Sequence, residues 1–151
     1  MAPYRCIIVD LDGTLCNHDH RKHLFGGDFN AYHAALVDDT IHDDIFDIVA
    51  TLSSAGYSIL ACTGRPERYR DATIAHFRAT GIDSYIDELL MRPDSNFDSD
   101  AVVKLALVDE HFSGREIALG SVGFILDDRD KVVEAFRDAG FRVLQVANGD
   151  Y

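Results

Sequence analysis

Two acidic residues separated by a single leucine, Asp10 and Asp12, follow the apolar segment Cys6–Val9 near the start of the chain. Paired carboxylates suit a reaction in which one group acts as nucleophile and the other transfers a proton. The following Gly13 permits backbone conformations that other residues rarely adopt, as a tight loop around a ligand requires. The same pattern also fits an ordinary turn, so a catalytic interpretation needs further functional groups at the same place.

Such groups recur later in the chain, each time after a predicted strand or on a helix expected to face the strand ends. A hydroxyl, a lysine and further carboxylates therefore collect at one predicted edge of the fold, which favours a functional cluster over chance. The residues are Thr63, Gly64 and Arg65, then Lys104, then Asp127 and Asp128.

Apolar segments of strand length alternate with stretches whose apolar residues have helical spacing. The predicted strands cover residues 4–9, 58–62, 88–91, 123–126 and 141–146, and the predicted helices cover 41–52, 66–80, 102–108 and 132–136. Gly56, Gly81 and Gly140 are placed to end three of these helices. Strands that alternate with helices are joined by right-handed crossovers and lie parallel. We therefore predict an α/β fold with a parallel sheet covered by helices on both faces.

Residues 17–39 interrupt this alternation and are rich in His, Gly and Asp. Their position after the first strand predicts a small cap or flap, with a short helix around residues 29–37, near the strand ends where such folds have their active site. Its histidines lack partners at zinc-site spacing, so we interpret them as part of a solvent-facing loop. Its aromatic residues are interpreted as packing against the core, with stacking on a nucleobase left open. These residues are His18, His20 and His23, and Phe25, Phe29 and Tyr32.

The chain is strongly acidic, with 26 acidic and 14 basic residues and a net charge of −12. A protein that holds a long nucleic acid through phosphate contacts normally presents a basic face. The charge therefore argues against extensive nucleic-acid wrapping, but it is compatible with capture of one phosphate by a few basic residues.

No apolar run approaches the ~18 residues of a membrane span, and the start of the sequence lacks the layout of a signal peptide. Cys6, Cys16 and Cys62 are odd in number and unevenly spaced, so we expect reduced thiols, two of them in buried apolar runs. The expected compartment is the cytoplasm, and a chain of 151 residues fits a single domain, residues 1–151.

The four polar segments, in this order, resemble the four motifs of the haloacid-dehalogenase-like phosphatases. The segment Asp10-Leu11-Asp12-Gly13-Thr14-Leu15 carries the most specific part of a resemblance that covers nearly the whole chain. The resemblance implies a Rossmann-like three-layer sandwich with a central parallel sheet and with Asp10 at the tip of the central strand.

The resemblance also implies a role for each residue. Asp10 would attack phosphorus to form an aspartyl-phosphate, and Asp12 would protonate the leaving alcohol and then activate the hydrolytic water. Thr63 and Lys104 would hold the phosphoryl oxygens. The implied cofactor is Mg²⁺, which prefers oxygen ligands. Its ligands would be Asp10, the main-chain carbonyl of Asp12, Asp127 and, close by, Asp128.

A finer resemblance is to the 3′-phosphatase domain of phage-type polynucleotide kinase–phosphatases. It rests on Arg21, on Arg65 directly after Gly64, and on the C-terminal residues 145–151. The resemblance implies that Gly64 and the two arginines contact substrate, with the arginines gripping its phosphates by bidentate contacts. A surface position for Arg21 and a salt bridge for Arg65 are the alternative interpretations.

The implied activity is removal of a 3′-phosphate from a DNA or RNA end, or from a nucleoside 3′-monophosphate. The sequence contains no Gly-x-x-x-x-Gly-Lys-Ser/Thr loop, so 5′-kinase activity of this chain is not expected. A separate kinase or ligase partner and the oligomeric state are left open. A 5′-nucleotidase acting on nucleoside monophosphates is the second hypothesis. A catalytically silent nucleic-acid end-binding module is the third, and the presence of both Asp10 and Asp12 argues against it.

Overall fold

The structure is a computed structural model that describes residues 5–151. Within this range the strands are β1 (Cys6–Val9), β2 (Cys16–Asn17), β3 (Thr40–Ile41), β4 (Ser58–Pro66), β5 (Glu88–Arg92), β6 (Val122–Asp127) and β7 (Val143–Gln145). Five of them form a parallel sheet in the order β5-β4-β1-β6-β7, and β2 pairs with β3 in a small antiparallel sheet. The strand that carries Asp10 at its end is therefore the central one.

The described helices are α1 (Phe29–Ala34), α2 (Asp43–Ser54), α3 (Arg70–Thr80), α4 (Asp100–His111), α5 (Arg115–Ser121) and α6 (Asp130–Asp138). Helices α2 and α3 cover one face of the parallel sheet and α4, α5 and α6 cover the other, whereas α1 belongs to the insertion. In β1, Ile8 packs with residues of α4, α5 and α6, whereas Ile7 and Val9 pack with residues of α2 and α3. Alternate side chains of a strand point to opposite faces, so a continuous apolar run is what a sheet with two covered faces requires.

This three-layer arrangement confirms the predicted fold class, and it corrects two predicted boundaries. Pro66 does not begin a helix: it ends β4, where it pairs with Arg92, and α3 begins only after a 3₁₀ turn at Glu67–Tyr69. Ile41 belongs to β3 rather than to the following helix. The three glycines predicted to end helices are confirmed in that role, since Gly56, Gly81 and Gly140 all have positive φ angles.

Three details of the fold were not predicted or lie outside the described range. Helix α5 has only seven residues and includes Gly120, so local propensity gave no signal for it. The short pairing of β2 with β3 was also missed. Tyr4, the first residue of the predicted opening strand, lies outside the described residues.

The insertion, residues 17–39, contains α1 and two 3₁₀ turns, Lys22–Leu24 and Ala35–Asp38. Its histidines differ in their environment. His20 and His23 are exposed as predicted, but the solvent-facing interpretation is wrong for His18, which is 3% exposed and lies 2.7 Å through Nδ1 from the Tyr32 hydroxyl.

The thiols of Cys6, Cys16 and Cys62 are buried and unpaired, which confirms the prediction of reduced cysteines. Burial raises the pKa of Cys16 and of Cys62 to about 12, so both are neutral at physiological pH. Among the described residues, no helix has the length and apolar character needed to cross a membrane.

Candidate active site

The first site loop begins where β1 ends beside β6. The amide of Asp10 donates to the Leu126 carbonyl at 2.9 Å, and the amide of Cys16 turns back to donate to the Leu11 carbonyl at 2.8 Å. Gly13, at the tip of this turn, has a φ of 86°. A β-carbon there would overlap the carboxylate of Asp128, so both backbone conformation and space require glycine at this position.

Three carboxylates from the ends of β1 and β6 converge in the interior. Oxygen atoms of Asp10, Asp127 and Asp128 all lie within 4.8 Å of one another, and each of these residues is at most 5% exposed. Lys104 of α4 donates from Nζ to Asp10 at 2.6 Å and to Asp127 at 2.7 Å. Three buried negative charges thus face one positive charge, which leaves two negative charges without a cationic partner in this cluster.

The titration behaviour of the cluster reflects this imbalance. Burial, followed by repulsion from Asp127, raises the pKa of Asp10 well above its ordinary value, and Lys104 opposes this rise only in part. Burial also raises the pKa of Asp127. Burial alone would lower the pKa of Lys104, but attraction to Asp10 and Asp127 outweighs it and raises that pKa. The lysine is therefore charged, and it balances only part of the negative charge of the three carboxylates.

The side chain of Asp12 belongs to a different cluster. Its Oδ1 accepts from Arg65 at 2.7 Å and from Arg21, and both arginines also bind Asp39, with Arg21 Nε at 2.7 Å from Asp39 Oδ1. Two carboxylates and two guanidinium groups form a nearly dry quartet of zero net charge. Arg21, Arg65 and Asp39 have side chains no more than 1% exposed.

Arg21 and Arg65 therefore occupy interior positions. Their side chains bind protein carboxylates here, so the structure does not present them as free phosphate-binding groups, and the surface alternative for Arg21 is wrong. Burial by itself would raise the pKa of Asp12, but Arg65 and then Arg21 outweigh it and hold that pKa well below its usual range. Asp12 is an anion in this arrangement.

Asp39 was not singled out in the sequence, yet it is the counter-charge that both arginines share. We expect Asp39→Asn to lower the free energy of unfolding by about 3–5 kcal/mol, because it leaves two buried guanidinium groups with Asp12 alone. Urea denaturation at neutral pH measures this change. The neighbouring Asp38 is exposed, and Asp38→Asn should stay within about 0.5 kcal/mol of the parent. Equal losses for the two variants would contradict the shared-anchor role.

The segment Thr63–Gly64 lies at the end of β4, beside the acidic cluster. Thr63 is 1% exposed, and its hydroxyl accepts from the amide of Arg65 at 3.2 Å. A β-carbon on Gly64 would overlap the carboxylate of Asp100, which ion pairs with Arg92 hold against the loop. Gly64 thus lets the start of α4, the helix that carries Lys104, approach β4 closely.

Tyr151 contacts the acidic cluster, although in the sequence it was noted only as one of the C-terminal residues 145–151. The hydroxyl of Tyr151 donates to Asp128 at 2.7 Å and lies 3.4 Å from the main-chain carbonyl of Asp12. Thr14 donates to the other oxygen of Asp128 at 3.3 Å. Both contacts join residues distant in sequence, so no local pattern could have revealed them. They fix the orientation of the Asp128 carboxylate.

A cavity of about 440 Å³ opens over these groups. It is large enough for a small-molecule ligand, for which sites of ~300–1,000 Å³ are typical. Asp127 is not among the lining residues, but it accepts a hydrogen bond from Lys104, which is. The predicted site residues that line the cavity are Asp10, Asp12, Thr63, Gly64, Arg65, Lys104 and Asp128.

Comparison with known proteins agrees with this geometry. The family model of the polynucleotide kinase PNKP phosphatase domain matches residues 4–151. A chain in the Pnkp1/Rnl/Hen1 RNA repair complex superposes with a TM-score of 0.80 at 27% identity, covering 100% of this chain and 45% of that one. A second Pnkp1/Rnl/Hen1 structure gives a TM-score of 0.81 at 28% identity, covering 98% and 47%. This chain thus spans less than half the length of those chains.

A more distant structure shares the fold. YfnB from Bacillus subtilis, whose structure was solved bound to magnesium, gives a TM-score of 0.66 at 12% identity and covers 95% of this chain and 86% of its own. With the family model matching nearly every residue, the chain belongs to the polynucleotide kinase PNKP phosphatase domain family, a group of haloacid-dehalogenase-like phosphatases.

Proposed function

We propose that the chain is a Mg²⁺-dependent phosphomonoesterase that removes a 3′-phosphate from polynucleotide ends or nucleoside 3′-monophosphates through an aspartyl-phosphate. The observation that carries the proposal is that Asp10 lines the cavity, contacts the Lys104 ammonium and lies within 4.8 Å of the Asp127 and Asp128 carboxylates. Membership in the PNKP phosphatase family supports the choice of a 3′-phosphate.

The donor set fits a magnesium ion. Mg²⁺ takes oxygen ligands and is bound by few carboxylates, and the two unbalanced negative charges of the cluster match a divalent cation. Asp10, Asp127 and the main-chain carbonyl of Asp12 would hold it, with Asp128 held nearby by Tyr151. When bound, the ion neutralises charge on the carboxylates and on the phosphoryl group.

The residues of the chain divide the chemistry in two steps. A carboxylate oxygen of Asp10 forms a bond to phosphorus as the bond from phosphorus to the nucleoside oxygen breaks. The departing oxygen takes a proton from Asp12, and because Asp12 is an anion in the resting site, it must first receive that proton from the monoanionic phosphomonoester. In the second step Asp12 takes a proton from water, the water oxygen attacks phosphorus, and Asp10 is released. Lys104, at 2.6 Å from Asp10, would hold a phosphoryl oxygen as charge develops.

A substrate panel tests the proposal. It compares phosphate release from a 3′-phosphorylated oligonucleotide, nucleoside 3′-monophosphates and nucleoside 5′-monophosphates. We expect the 3′-phosphorylated compounds to react with the higher kcat/KM. Turnover of 5′-monophosphates alone would replace this proposal by a 5′-nucleotidase. Binding of the oligonucleotide with no phosphate release in Mg²⁺ would replace it by an end-binding module.

Lys104→Ala should reduce kcat by about 10²–10³-fold, because it removes one charge contact to the developing phosphoryl charge. Steady-state phosphate release from the 3′-phosphorylated oligonucleotide measures the effect. Arg78→Ala is the control, since Arg78 is an exposed basic residue of α3 that does not line the cavity and should be replaceable without loss. A Lys104→Ala protein as fast as the parent would show that this ammonium serves the acidic cluster alone.

Removal of Mg²⁺ with a chelator should abolish phosphate release, and added Mg²⁺ should restore it. Mg²⁺ should also raise the Tm of the parent by mass action, because it balances a charge cluster that exists only in the folded chain. Asp127→Asn should lose most of this rise in Tm. Asp47→Asn, an exposed change on α2, should keep it. A Tm of the parent that does not respond to Mg²⁺ would count against the metal site.

We further propose that the domain works beside other end-processing activities such as a kinase or a ligase. The similarity to a chain in an RNA repair complex supports this proposal. The cytoplasm is the proposed compartment, on the basis of the reduced cysteines.

A further inference from the structure

Two of the aromatic rings that line the active-site cavity remain largely exposed to solvent in the folded protein. Phe97 is 92% exposed and Phe29 is 50% exposed, and both line the cavity that contains Asp10. An exposed phenyl ring contributes little to the stability of the fold, because its apolar surface stays hydrated. Two such rings at the mouth of one cavity suggest a role in binding.

The backbone on both sides of Phe97 is fixed by hydrogen bonds, although its ring is exposed. It lies in the loop between β5 and α4, and Arg92 fixes this loop by donating to the carbonyls of Asn96 at 3.1 Å and Asp98 at 2.6 Å. The same guanidinium donates to the Gly64 carbonyl at 2.9 Å. The backbone on both sides of Phe97 is therefore fastened to the loop next to Thr63. A ring presented by a fixed loop loses little freedom when it binds a ligand.

We propose that Phe97 and Phe29 form a stacking site for the terminal nucleobase of the substrate, an inference that rests on the proposed phosphatase function. The inner end of the cavity offers Lys104 and carboxylates for a phosphoryl group, whereas its mouth offers flat apolar surfaces. A nucleotide joins these two chemistries in one molecule, and bases stack on aromatic side chains with little preference for sequence.

The other aromatic residues of the insertion have different partners. Tyr32 is 2% exposed, with its hydroxyl on His18, so no base can reach its ring. Phe25 is partly covered by the guanidinium of Arg129, 4.9 Å from the ring centre. Phe29 and Phe97 are therefore the cavity-lining phenyl rings with the largest free surface among the described residues.

The charges around Phe97 favour recognition of a single nucleoside. Asp98 is exposed on the same loop and would repel the phosphodiester groups of a strand that continued past this point, whereas the charge of Asp94 is paired with Arg68 at 3.4 Å. The net charge of −12 acts in the same direction. A stacking site supplies affinity for a strand end without a basic track, so kcat/KM should depend only weakly on strand length.

The test compares a short DNA strand ending in deoxyadenosine 3′-phosphate with the same strand ending in a 3′-phosphorylated tetrahydrofuran abasic residue. We expect the parent to prefer the adenine-ended strand by about 10-fold or more in kcat/KM, since stacking contributes by this order. Phe97→Ala should remove most of that preference by raising the KM for the adenine-ended strand. It should leave kcat/KM for the abasic strand unchanged. Phe97→Trp should retain the preference.

Ile117→Ala is the matched control, because Ile117 is also a large exposed apolar residue, 55% exposed, on α5 and outside the cavity. A Phe97→Ala protein that loses activity equally on both strands, or on neither, would overturn the stacking site. A steep gain of kcat/KM with strand length would overturn recognition of a single nucleoside.

A second pair of strands, with both the phosphate and the adenine or abasic residue at the 5′ end, separates this inference from the proposed function. If the parent releases phosphate only from the 5′-phosphorylated pair, the 3′ assignment fails, and the base-to-abasic ratio on that pair still measures stacking. If the parent treats base-ended and abasic strands alike at both positions, the stacking inference alone fails.

Discussion

Asp10→Asn is expected to reduce phosphate release to the background rate, because it removes the nucleophilic oxygen with almost no change in size. The proposed covalent mechanism assigns the attack to Asp10 alone, since Asp127 does not line the cavity and both oxygens of Asp128 accept hydrogen bonds from Tyr151 and Thr14. Phosphate release and the mass of acid-quenched enzyme are the measurements. The parent should show a phosphorylated species, and the variant should show none.

The same substitution should not weaken the fold. A carboxyl group whose pKa is raised in the folded state costs stability at every pH above its ordinary pKa, because folding must then bury a charge that the unfolded chain keeps in water. Asp10→Asn removes this cost, while Lys104 keeps its contact with Asp127. In metal-free buffer the variant should therefore have a Tm equal to or above that of the parent.

Asp47→Asn on the surface of α2 is the control for both measurements, and it should leave activity and Tm unchanged. An Asp10→Asn protein with parental activity would exclude the aspartyl-phosphate. A large drop in Tm would instead show that Asp10 serves mainly as a structural partner of Lys104.

The convergence of the acidic cluster could be predicted because it follows from chain topology. Asp10 and Asp127 end neighbouring parallel strands, β1 and β6, and Thr63 lies near the end of β4 on the other side of β1. Residues at the carboxyl ends of adjacent parallel strands meet at one edge of the sheet whatever the rest of the sequence does. The regular spacing of apolar residues, which identifies the strands, is therefore enough to predict this part of the site.

The partners of the arginines could not be predicted in the same way. Asp39 lies at the end of the insertion, where no repeating pattern defines the path of the chain, and it meets Arg65 only after β4 and the insertion have packed together. Tyr151 reaches Asp128 from the far end of the chain. Such contacts depend on tertiary packing of irregular segments, on which neither propensity nor periodicity bears.

The site separates its charges into two clusters with different roles. The quartet of Asp12, Asp39, Arg21 and Arg65 has zero net charge and is complete without a ligand. The acidic cluster has two negative charges in excess and is incomplete without one. The quartet can therefore keep Asp12 in one orientation before and after a divalent ion binds, which is a requirement for a group that must serve both chemical steps.

Asp12→Asn is expected to lower kcat on a 3′-phosphorylated nucleotide by about 10²–10⁴-fold, the range for loss of a general acid and base. The loss should depend on the leaving group. A nucleoside alkoxide needs a proton to depart, whereas 4-nitrophenolate does not. With 4-nitrophenyl phosphate the first step should therefore stay close to the parental rate, while hydrolysis of the aspartyl-phosphate remains slow because no base activates water.

Rapid mixing distinguishes these steps. Asp12→Asn with 4-nitrophenyl phosphate should give a burst of nitrophenol equal to the concentration of active enzyme, followed by slow turnover, and the phosphorylated protein should accumulate. The nucleotide substrate should give no burst. Because a neutral amide in place of the Asp12 carboxylate would bind Arg21 and Arg65 less well, the variant will be less stable, and the burst amplitude counts the folded sites directly.

The outcome also decides between two roles that the geometry combines in one residue. If Asp12 only anchored Arg21 and Arg65, its loss would slow both substrates equally and no phosphorylated enzyme would build up. If Asp12 transfers protons, the variant should form the aspartyl-phosphate quickly from 4-nitrophenyl phosphate and slowly from the nucleotide. Hydrolysis of the aspartyl-phosphate should then be equally slow with both substrates. The depressed pKa keeps Asp12 unprotonated in the resting site. This is the state that the second step requires, since a base must be unprotonated before it can take a proton from water.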